Sequence, residues 1–405
     1  MKRIKVIYVS YDELYQAYLD CRKRKRGTAN EISFEIDENV KLYNLWVDLN
    51  TGAYVVGRSI CFINRRPVPR EVFAADFVDR IVHHLFINRV IKFIEKYEFI
   101  EDSYSCRVGK GTLYGVLRCK EFIKECSENY TKDCYILKCD LKSFFVTIDK
   151  DILYEKFYKF LTERCGYSGR DLRFMEWLLK LIIYDDPAKK CIIRGKRSDW
   201  LILPKEKSLF YCMKNKGLPI GNLTSQIFAN FFLSVFDHYV IEELGFKYYG
   251  RYVDDFFIID KSKEKLLNSI EKIRSKLSEI GVILHPKKLY LQHYTKGIKF
   301  IGHIIKFDRI YVGNRTKGNF YQIIMNKTKL FEKDVITYKE LLDFVSSINS
   351  YLGFMVHCNS FKIRKKMLSH DKMIKFYKFG CTNGKHSLLM IKHRRDEYKF
   401  KKKGE

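Results

Sequence analysis

Two adjacent carboxylates interrupt a run of strand-forming residues in the second half of the chain. Residues 248–260 read YYGRYVDDFFIID, with aromatic and β-branched residues on both sides of Asp254 and Asp255. Such residues favour a pleated, half-buried strand, so the pattern predicts a hairpin that turns at Val253 and Asp254. Two negative charges this close repel each other and are costly to bury unpaired. A divalent cation is the simplest partner, although an Asp-Asp pair alone is more often a polar turn.

A third carboxylate ends another predicted strand. Residues 134–141, CYILKCDL, have the composition of a buried strand, and Asp140 lies at its end. A lone Asp there is often a cap or turn residue. Three converging carboxylates favour metal chemistry instead, because two Mg²⁺ ions about 3.5–4 Å apart can activate a 3′-hydroxyl and stabilise a pyrophosphate leaving group. Mg²⁺ also prefers a few carboxylates together with substrate phosphates.

Two glycine-containing segments are predicted to lie near these carboxylates. Residues 103–112, SYSCRVGKGT, form a basic loop before a predicted helix at residues 113–126. Such a loop can place backbone N–H groups and a basic side chain beside phosphates, but it lacks the Walker spacing. Residues 217–230, GLPIGNLTSQIFAN, open a helix predicted to continue to residue 244, with glycines that permit close backbone approach.

The remaining pattern alternates helices and strands. Apolar spacing predicts further helices at residues 11–22, 71–96, 148–161, 173–183 and 262–280. Strand-like composition predicts two short strands within residues 43–56, and strands at residues 282–285 and 299–305. Residues 185–216 are irregular, and the chain from residue 312 is mostly helical and basic.

The charge balance indicates a polyanionic partner. Lys and Arg number 76 against 48 Asp and Glu, which gives a net charge of +28. Nucleic acid is the first candidate and an anionic membrane surface the second, although part of the lysine content is also consistent with a solvated surface. The 28 tyrosines and 31 phenylalanines offer rings on which bases can stack.

Cysteine usage and hydropathy indicate a cytoplasmic chain without a membrane partner. The 12 cysteines form neither CxxC pairs nor a zinc-finger spacing, which favours reduced thiols. The first residues reach charge too soon for a signal peptide. No run of about 18 apolar residues exists, so we expect no membrane-spanning segment.

The motifs together resemble those of reverse transcriptases. The YVDD sequence at residues 252–255 is similar to their YxDD box, and Asp140 with Phe144 and Phe145 is similar to their first catalytic motif. YxDD alone is a weak signal, but seven ordered motifs over roughly residues 55–370 are a strong one. The resemblance implies an α+β fold of the right-hand polymerase type, with fingers, a palm built on an antiparallel sheet with helices, and a helical thumb.

The resemblance also implies domain boundaries. The chain is divided into an N-terminal extension with the start of the fingers, the fingers, the palm with an insertion at about residues 185–216, and a basic helical thumb with the C-terminal tail. These correspond to residues 1–64, 65–133, 134–311 and 312–405.

The resemblance implies a metal-dependent catalytic site. Two Mg²⁺ ions, for which Mn²⁺ can substitute, would be bound by Asp140, Leu141, Asp254 and Asp255. Lys288 would be the acid that protonates the pyrophosphate, and Phe145 would be the ring that excludes a ribose 2′-hydroxyl. These assignments make the chain an RNA-directed DNA polymerase, a nucleotidyltransferase.

Further residues are implied to contact the substrates. Those expected around the incoming nucleotide are Arg70, Arg107, Lys110, Phe144, Phe145, Gly221 and Gln226. Those expected to contact template or primer are Ile220, Asn222, Tyr252, Phe300, Ile301 and Gly302, the last three as a primer grip.

The start of the helix at residues 220–226 departs from the commonest pattern of the family. Retroviral and group II intron enzymes usually have Gln before the Gly and Ser-Pro after it, whereas this chain reads IGNLTSQ. This version resembles the reverse transcriptases of diversity-generating retroelements and some related antiviral defence enzymes of bacteria. The first role, error-prone cDNA synthesis from a dedicated RNA, is preferred. The alternative is cDNA synthesis from an associated non-coding RNA in defence.

The implied partners follow from these roles. They are an RNA template, a DNA product and deoxynucleoside triphosphates, with a structured non-coding RNA and either a small accessory protein or a second copy of the chain. A bacterial cytoplasmic location is expected. An interpretation from another class, a catalytically idle RNA-binding scaffold, is disfavoured by the complete set of carboxylates.

Overall fold

The computed structural model describes residues 8–23, 27–65, 68–393 and 397–399. The end of the basic tail, residues 400–405, lies outside the described residues. None of the helices in these ranges has the length and apolar character needed to cross a lipid bilayer.

Helices account for most of the regular structure. In chain order they are α1 Tyr11–Arg22, α2 Ala29–Glu35, α3 Glu38–Thr51, α4 Phe77–Tyr97, α5 Thr112–Cys126, α6 Phe144–Thr147, α7 Lys150–Glu163, α8 Gly169–Ile183, α9 Pro187–Lys190, α10 Leu223–Phe232, α11 Ser234–His238, α12 Lys263–Glu279, α13 Asn314–Lys327, α14 Tyr338–Met355, α15 Phe361–Leu368 and α16 Asp371–Ile374. Short 3-10 turns and one π-turn, Tyr239–Glu243, connect some of them.

The strands are short. They are β1 Ile60–Asn64, β2 Arg70–Ala74, β3 Tyr135–Asp140, β4 Ile192–Ile193, β5 Tyr248–Tyr252, β6 Asp255–Asp260, β7 Tyr290–His293, β8 Ile298–Phe300, β9 His303–Ile305, β10 Ile310–Val312, β11 Val335–Thr337, β12 Gly380–Thr382, β13 Leu389–Ile391 and β14 Glu397–Lys399. Four of them form a sheet in the order β5-β6-β3-β7, and β2-β1-β4 form a second sheet.

The chain divides into two compact units. The first comprises Met1–Gly111 and Leu137–Leu291, and the second comprises Thr112–Ile136 and Gln292–Glu405. The first unit contains residues predicted for both the fingers and the palm, so this division does not test the boundary between them. The boundaries given above for fingers, palm and thumb therefore remain predictions.

Aromatic side chains from three helices fill the core of the first unit. Phe157 on α7 lies between Phe228 and Phe231 on α10, with ring centroids 5.1 and 4.5 Å away, and Phe86 on α4 contacts Phe228. These rings are all buried, and each large aromatic residue contributes a large apolar area to the core. This packing fixes α10 beside the sheet.

In the second unit, α13 and α14 bury one apolar face each. Phe320, Ile324, Phe344 and Ile348 recur at helical spacing and have no exposed surface. Helix α14 begins with a capping box in which Thr337 and Glu340 satisfy each other's backbone N–H groups. The cap explains why the helix starts directly after β11.

Two predicted strands and one predicted helix are wrong in type or extent near the N-terminus of the first unit. Residues 43–56 do not form two strands, because Leu42, Leu45 and Leu49 are spaced as a buried helical stripe in α3. The helix predicted at residues 71–96 begins later, since its first residues pair with β1 as strand β2.

Three further predictions are corrected at turns. The helix predicted to open within residues 217–230 and to continue to residue 244 is broken into α10, α11 and the π-turn. Residues 299–305 form two strands, because Ile301 and Gly302 have left-handed φ values of 45° and 79° and turn the chain. Residues 282–285 contribute only an isolated bridge, from Leu284 to Leu141.

Candidate active site

The sheet of the first unit brings two carboxylates to a tight hairpin. Strands β5 and β6 pair antiparallel with Tyr252 opposite Asp255, which leaves Val253 and Asp254 as the two turn residues. Val253 has φ 58°, the left-handed conformation that such a two-residue turn requires. Gly250, earlier in β5, permits the close packing of Tyr104, whose ring would overlap any Cβ at that position.

Asp140 reaches the same edge from the neighbouring strand. Strand β3 adjoins β6 in the sheet and ends at Asp140. The next residue, Leu141, donates its backbone N–H to the carbonyl of Asp254 at 3.1 Å. The end of β3 is therefore fixed directly to the hairpin, and the three predicted carboxylates converge.

Burial and mutual repulsion perturb two of the carboxyl groups. Burial, together with the charge of Asp140, raises the pKa of Asp254, although Arg70 and Lys288 act in the opposite direction. Burial raises the pKa of Asp255 to about 6, against the lowering effect of Lys138. Groups perturbed by burial and by each other are typical of functional sites.

Two lysines are paired with this cluster. Lys288 Nζ lies 2.8 Å from Asp140 Oδ1, and Lys138 Nζ lies 2.7 Å from Asp255 Oδ1. Asp255 Oδ1 is buried, and among the described residues no donor meets it with hydrogen-bond geometry. The donor set of this edge, three carboxylates close enough to influence one another, fits a hard divalent cation, which prefers oxygen ligands.

The cluster is not a closed metal cage. Within the described ranges, no group of three or more His, Cys, Asp or Glu side chains is gathered tightly enough to hold a metal ion by itself.

The comparison with known families decides the identity of the fold. Residues 70–305, more than half of the chain, match the family described as reverse transcriptase (RNA-dependent DNA polymerase). The chain belongs to the reverse transcriptase family. The match confirms the α+β right-hand polymerase fold class and supports RNA-directed DNA polymerisation, and this family generally uses divalent metals.

Telomerases from yeasts are among the similar solved structures. A telomerase from Candida tropicalis, truncated from its C-terminal domain, has 15% identity and a TM-score of 0.44, with 64% of this chain and 56% of that chain covered. A telomerase from Candida albicans, in complex with a fragment of telomeric RNA, has 13% identity and a TM-score of 0.45, with 80% and 56% covered. The chain thus spans little more than half the length of these telomerases. No curated protein matches the chain significantly.

Three of the side chains expected around the nucleotide, Arg70, Phe144 and Phe145, differ in how exposed they are. Arg70 is exposed and close enough to Asp254 to influence its pKa, as a nucleotide contact requires. Phe144 is only 2% exposed, whereas Phe145 is half-buried and packs edge-on against Phe144 with centroids 5.8 Å apart. Phe145 therefore packs in part on Phe144, and its exclusion of a 2′-hydroxyl stays a prediction.

Arg107 and Lys110 each form an ion pair with a nearby glutamate. Arg107, with a side chain only 7% exposed, pairs with Glu95 at 2.5 Å and also donates to the carbonyl of Ser103. Lys110 pairs with Glu101 at 2.6 Å. Both cations are thus paired within the protein, and their contact with the nucleotide stays a prediction.

The segment just before helix α10, at Ile220 and Gly221, packs backbone to backbone on strand β2. The carbonyl of Ile220 accepts from Phe73 N at 2.8 Å, and a Cβ on Gly221 would lie 2.8 Å from the Phe73 carbonyl. Asn222 is 6% exposed and accepts from Ala75 N at 3.2 Å. Asn222 therefore has an internal hydrogen-bond partner, and its contact with template or primer stays a prediction.

Gln226 and Tyr252 remain half-buried. The thiol of Cys106 donates to Gln226 Oε1 at 2.5 Å. Burial, and secondarily Cys106, raises the pKa of Tyr252. The contacts of Gln226 with a nucleotide and of Tyr252 with template or primer stay predictions.

The predicted primer grip belongs to the second unit. Phe300 is fully buried, and the turn at Ile301 and Gly302 follows it. Gly313 N donates to the Gly302 carbonyl at 3.2 Å, which closes the turn. Any contact with primer would therefore involve the backbone of Ile301 and Gly302, and it stays a prediction.

Sequence analysis missed Lys138 and Arg251. Lys138 lies two residues before Asp140, and alternate residues of a strand share a face, so its position could have been anticipated. Arg251 lies within a strand whose other residues are three tyrosines and a glycine, and a charge there must be paired if it is buried.

Proposed function

We propose that the chain is an RNA-directed DNA polymerase that uses two Mg²⁺ ions for nucleotidyl transfer. The observation that carries the proposal is the convergence of Asp140, Asp254 and Asp255, two of them with raised pKa values, at one edge of the sheet of a reverse transcriptase. These three side chains, with the backbone of Leu141 beside them, would hold the ions. When bound, the ions supply activation of the 3′-hydroxyl and charge stabilisation at the leaving group.

The chain's own residues would orient the substrates and move one proton. Lys288, half exposed and already paired with Asp140, would release that carboxylate and protonate the leaving pyrophosphate. Phe145, braced by Phe144, would lie against the sugar and exclude a 2′-hydroxyl. Arg70 would contact the triphosphate.

A primer-extension assay tests this proposal. The full chain is given a defined RNA template, a DNA primer and all four deoxynucleotides, with Mg²⁺ or with a chelator. Extension that depends on Mg²⁺ supports the proposal. RNA binding without any extension under either condition contradicts it and favours the idle scaffold.

We further propose that synthesis is error-prone, as in a diversity-generating retroelement. Ile220 replaces the usual Gln and can only pack, and Gln226 already accepts from a thiol within the protein. A site without polar contacts to its substrate discriminates poorly against a mismatch. The alternative is accurate cDNA synthesis for antiviral defence.

The error spectrum on a defined RNA template distinguishes these roles. We expect wild-type errors to concentrate opposite template adenine, Ile220→Gln to reduce them, and the control Ile220→Leu to leave them unchanged. Uniformly low error in the wild type would contradict the retroelement role. Equal error spectra for the wild type and both variants would show that Ile220 does not set the accuracy of synthesis.

The proposed partners are nucleic acids. The net charge of +28 fits an RNA template and a DNA product, and the 15 Lys and Arg against 4 Asp and Glu in residues 356–405 fit a thumb that holds a duplex. A structured non-coding RNA, with an accessory protein or a second copy of the chain, completes the proposal in a bacterial cytoplasm. Sequencing the nucleic acid that copurifies with the chain would identify the template.

A further inference from the structure

A buried ion pair lies directly behind the catalytic hairpin. Arg251 and Asp237 have no exposed surface, and Arg251 Nε donates to Asp237 Oδ1 at 2.6 Å while Nη2 contacts Oδ2. Tyr249 donates its hydroxyl to the same carboxylate at 2.6 Å. The guanidinium is therefore held in one orientation by two parallel contacts.

The free edge of this guanidinium is directed at the hairpin turn. Arg251 Nη1 donates to the carbonyl of Val253 at 3.0 Å. Val253 is the residue with φ 58°, a conformation that a β-branched residue adopts only when its surroundings enforce it. The next two residues are Asp254 and Asp255, so the orientation of the Val253 peptide sets where these carboxylates lie.

Other buried contacts complete the network. Asn230 on α10 accepts from Arg251 Nη1 at 3.2 Å and from the Ser105 hydroxyl at 2.9 Å. Along the backbone, Arg251 N donates to Asp102 O and Tyr104 N donates to Arg251 O, both at 2.9 Å. The loop at residues 102–105 and helix α10 therefore both contact Arg251, the residue that holds the turn.

We propose that Arg251 and Asp237 are positioning residues for the catalytic carboxylates. They hold Val253 in its left-handed conformation and so aim Asp254 and Asp255 at the metal ions. This inference rests on the proposed polymerase function. A buried ion pair is weak evidence of stabilisation by itself, because apolar residues can replace one without loss. The contact with the strained turn gives this pair a specific role, and only a planar guanidinium can bind Asp237 and the Val253 carbonyl together.

The first test is Arg251→Lys, which keeps the charge and loses the fork. We expect the rate constant for single-nucleotide incorporation to fall about 100-fold, because small displacements of catalytic groups are costly. The KM for the deoxynucleotide should change less than about twofold. Mn²⁺ binding to the nucleic-acid-free chain, followed by paramagnetic resonance, should weaken as well.

A matched control separates positioning from folding. Arg89 on α4 makes a similar two-pronged pair with Glu13, at 2.5 and 2.8 Å, and its described contacts do not include the hairpin. Arg89→Lys should lower the Tm without lowering the rate per folded molecule. If Arg251→Lys behaves like this control, with an unchanged rate and unchanged Mn²⁺ binding, the inference is overturned.

A second substitution tests the link through Val253. Asn tolerates the left-handed conformation, so adding Val253→Asn to Arg251→Lys should raise the incorporation rate constant at least about tenfold above that of Arg251→Lys alone. Additive losses in the double variant would overturn the inference. The proposed function fails separately, because the wild-type chain would then show no extension in the same assay.

Discussion

Lys138 Nζ lies 2.7 Å from Asp255 Oδ1, so a lysine from strand β3 neutralises a carboxylate on strand β6. The Lys138 side chain is only 14% exposed, which makes the pair a partly buried one. Its ammonium group counters the effect of burial on Asp255. Lys138 and a cation bound as proposed would therefore compete for the same carboxylate.

Removing this charge should tighten metal binding. We expect Lys138→Met to lower the dissociation constant for Mn²⁺ about tenfold at about pH 8, where Asp255 is ionised, because one nearby positive charge is lost. The control is Lys142→Met, which removes an exposed lysine four residues further on. Calorimetric titration of both variants measures the effect, and equal affinities for wild type and Lys138→Met would exclude the competition.

The raised pKa of Asp255 predicts a pH-dependent stability. The folded chain binds this proton more tightly than the unfolded chain, so the contribution is present below about pH 4 and is lost as pH rises through about 6. In chelator, the wild type should lose about 3 kcal/mol relative to Asp255→Asn between about pH 3 and about pH 7. Urea unfolding across the range measures it. If the difference in unfolding free energy between the two proteins stays constant with pH, Asp255 does not carry the pKa shift. Added Mg²⁺ should restore the lost stability in the wild type and not in Asp255→Asn.

Phe145 should control sugar selection. Cutting this half-buried ring back in Phe145→Ala opens space for a 2′-hydroxyl, and we expect ribonucleotide use relative to deoxynucleotide use to rise at least about tenfold. Phe144 is fully packed and braces Phe145, so Phe144→Ala should lower the Tm and raise ribonucleotide use less than Phe145→Ala does. Single-nucleotide extension with each nucleotide provides the measurement. A gain in the Phe144 variant alone would place the gate there.

Sequence patterns predicted the catalytic edge because its signals are local. The strand composition around Asp254 and Asp255 encodes the hairpin within a dozen residues, and the position of Asp140 at a strand end needs no tertiary information. By contrast, the partner of Arg251 is 14 residues away in another element, and the sequence offers several carboxylates of equal merit. Such pairings are decided by packing and not by local spacing.

The corrected elements show the same limit. Residues 43–56 contain β-branched and aromatic residues that favour strands, but burial of Leu42, Leu45 and Leu49 against neighbouring helices overrides that preference. Arg107 and Lys110 were expected to face the nucleotide, and the sequence does not reveal that Glu95 and Glu101 lie beside them. The charge of a loop therefore predicts its function poorly until its internal partners are known.

Primer extension by Asp254→Asn tests the central claim most directly. The substitution keeps the size of the side chain and removes the charge that Mg²⁺ requires. Asp260→Asn, at the opposite end of strand β6, is the matched control. At equal Tm, we expect Asp254→Asn to extend an RNA-templated DNA primer at least about 100-fold more slowly than wild type, and Asp260→Asn to extend it normally. Near-normal extension by Asp254→Asn would contradict the assignment of this cluster as the polymerase active site.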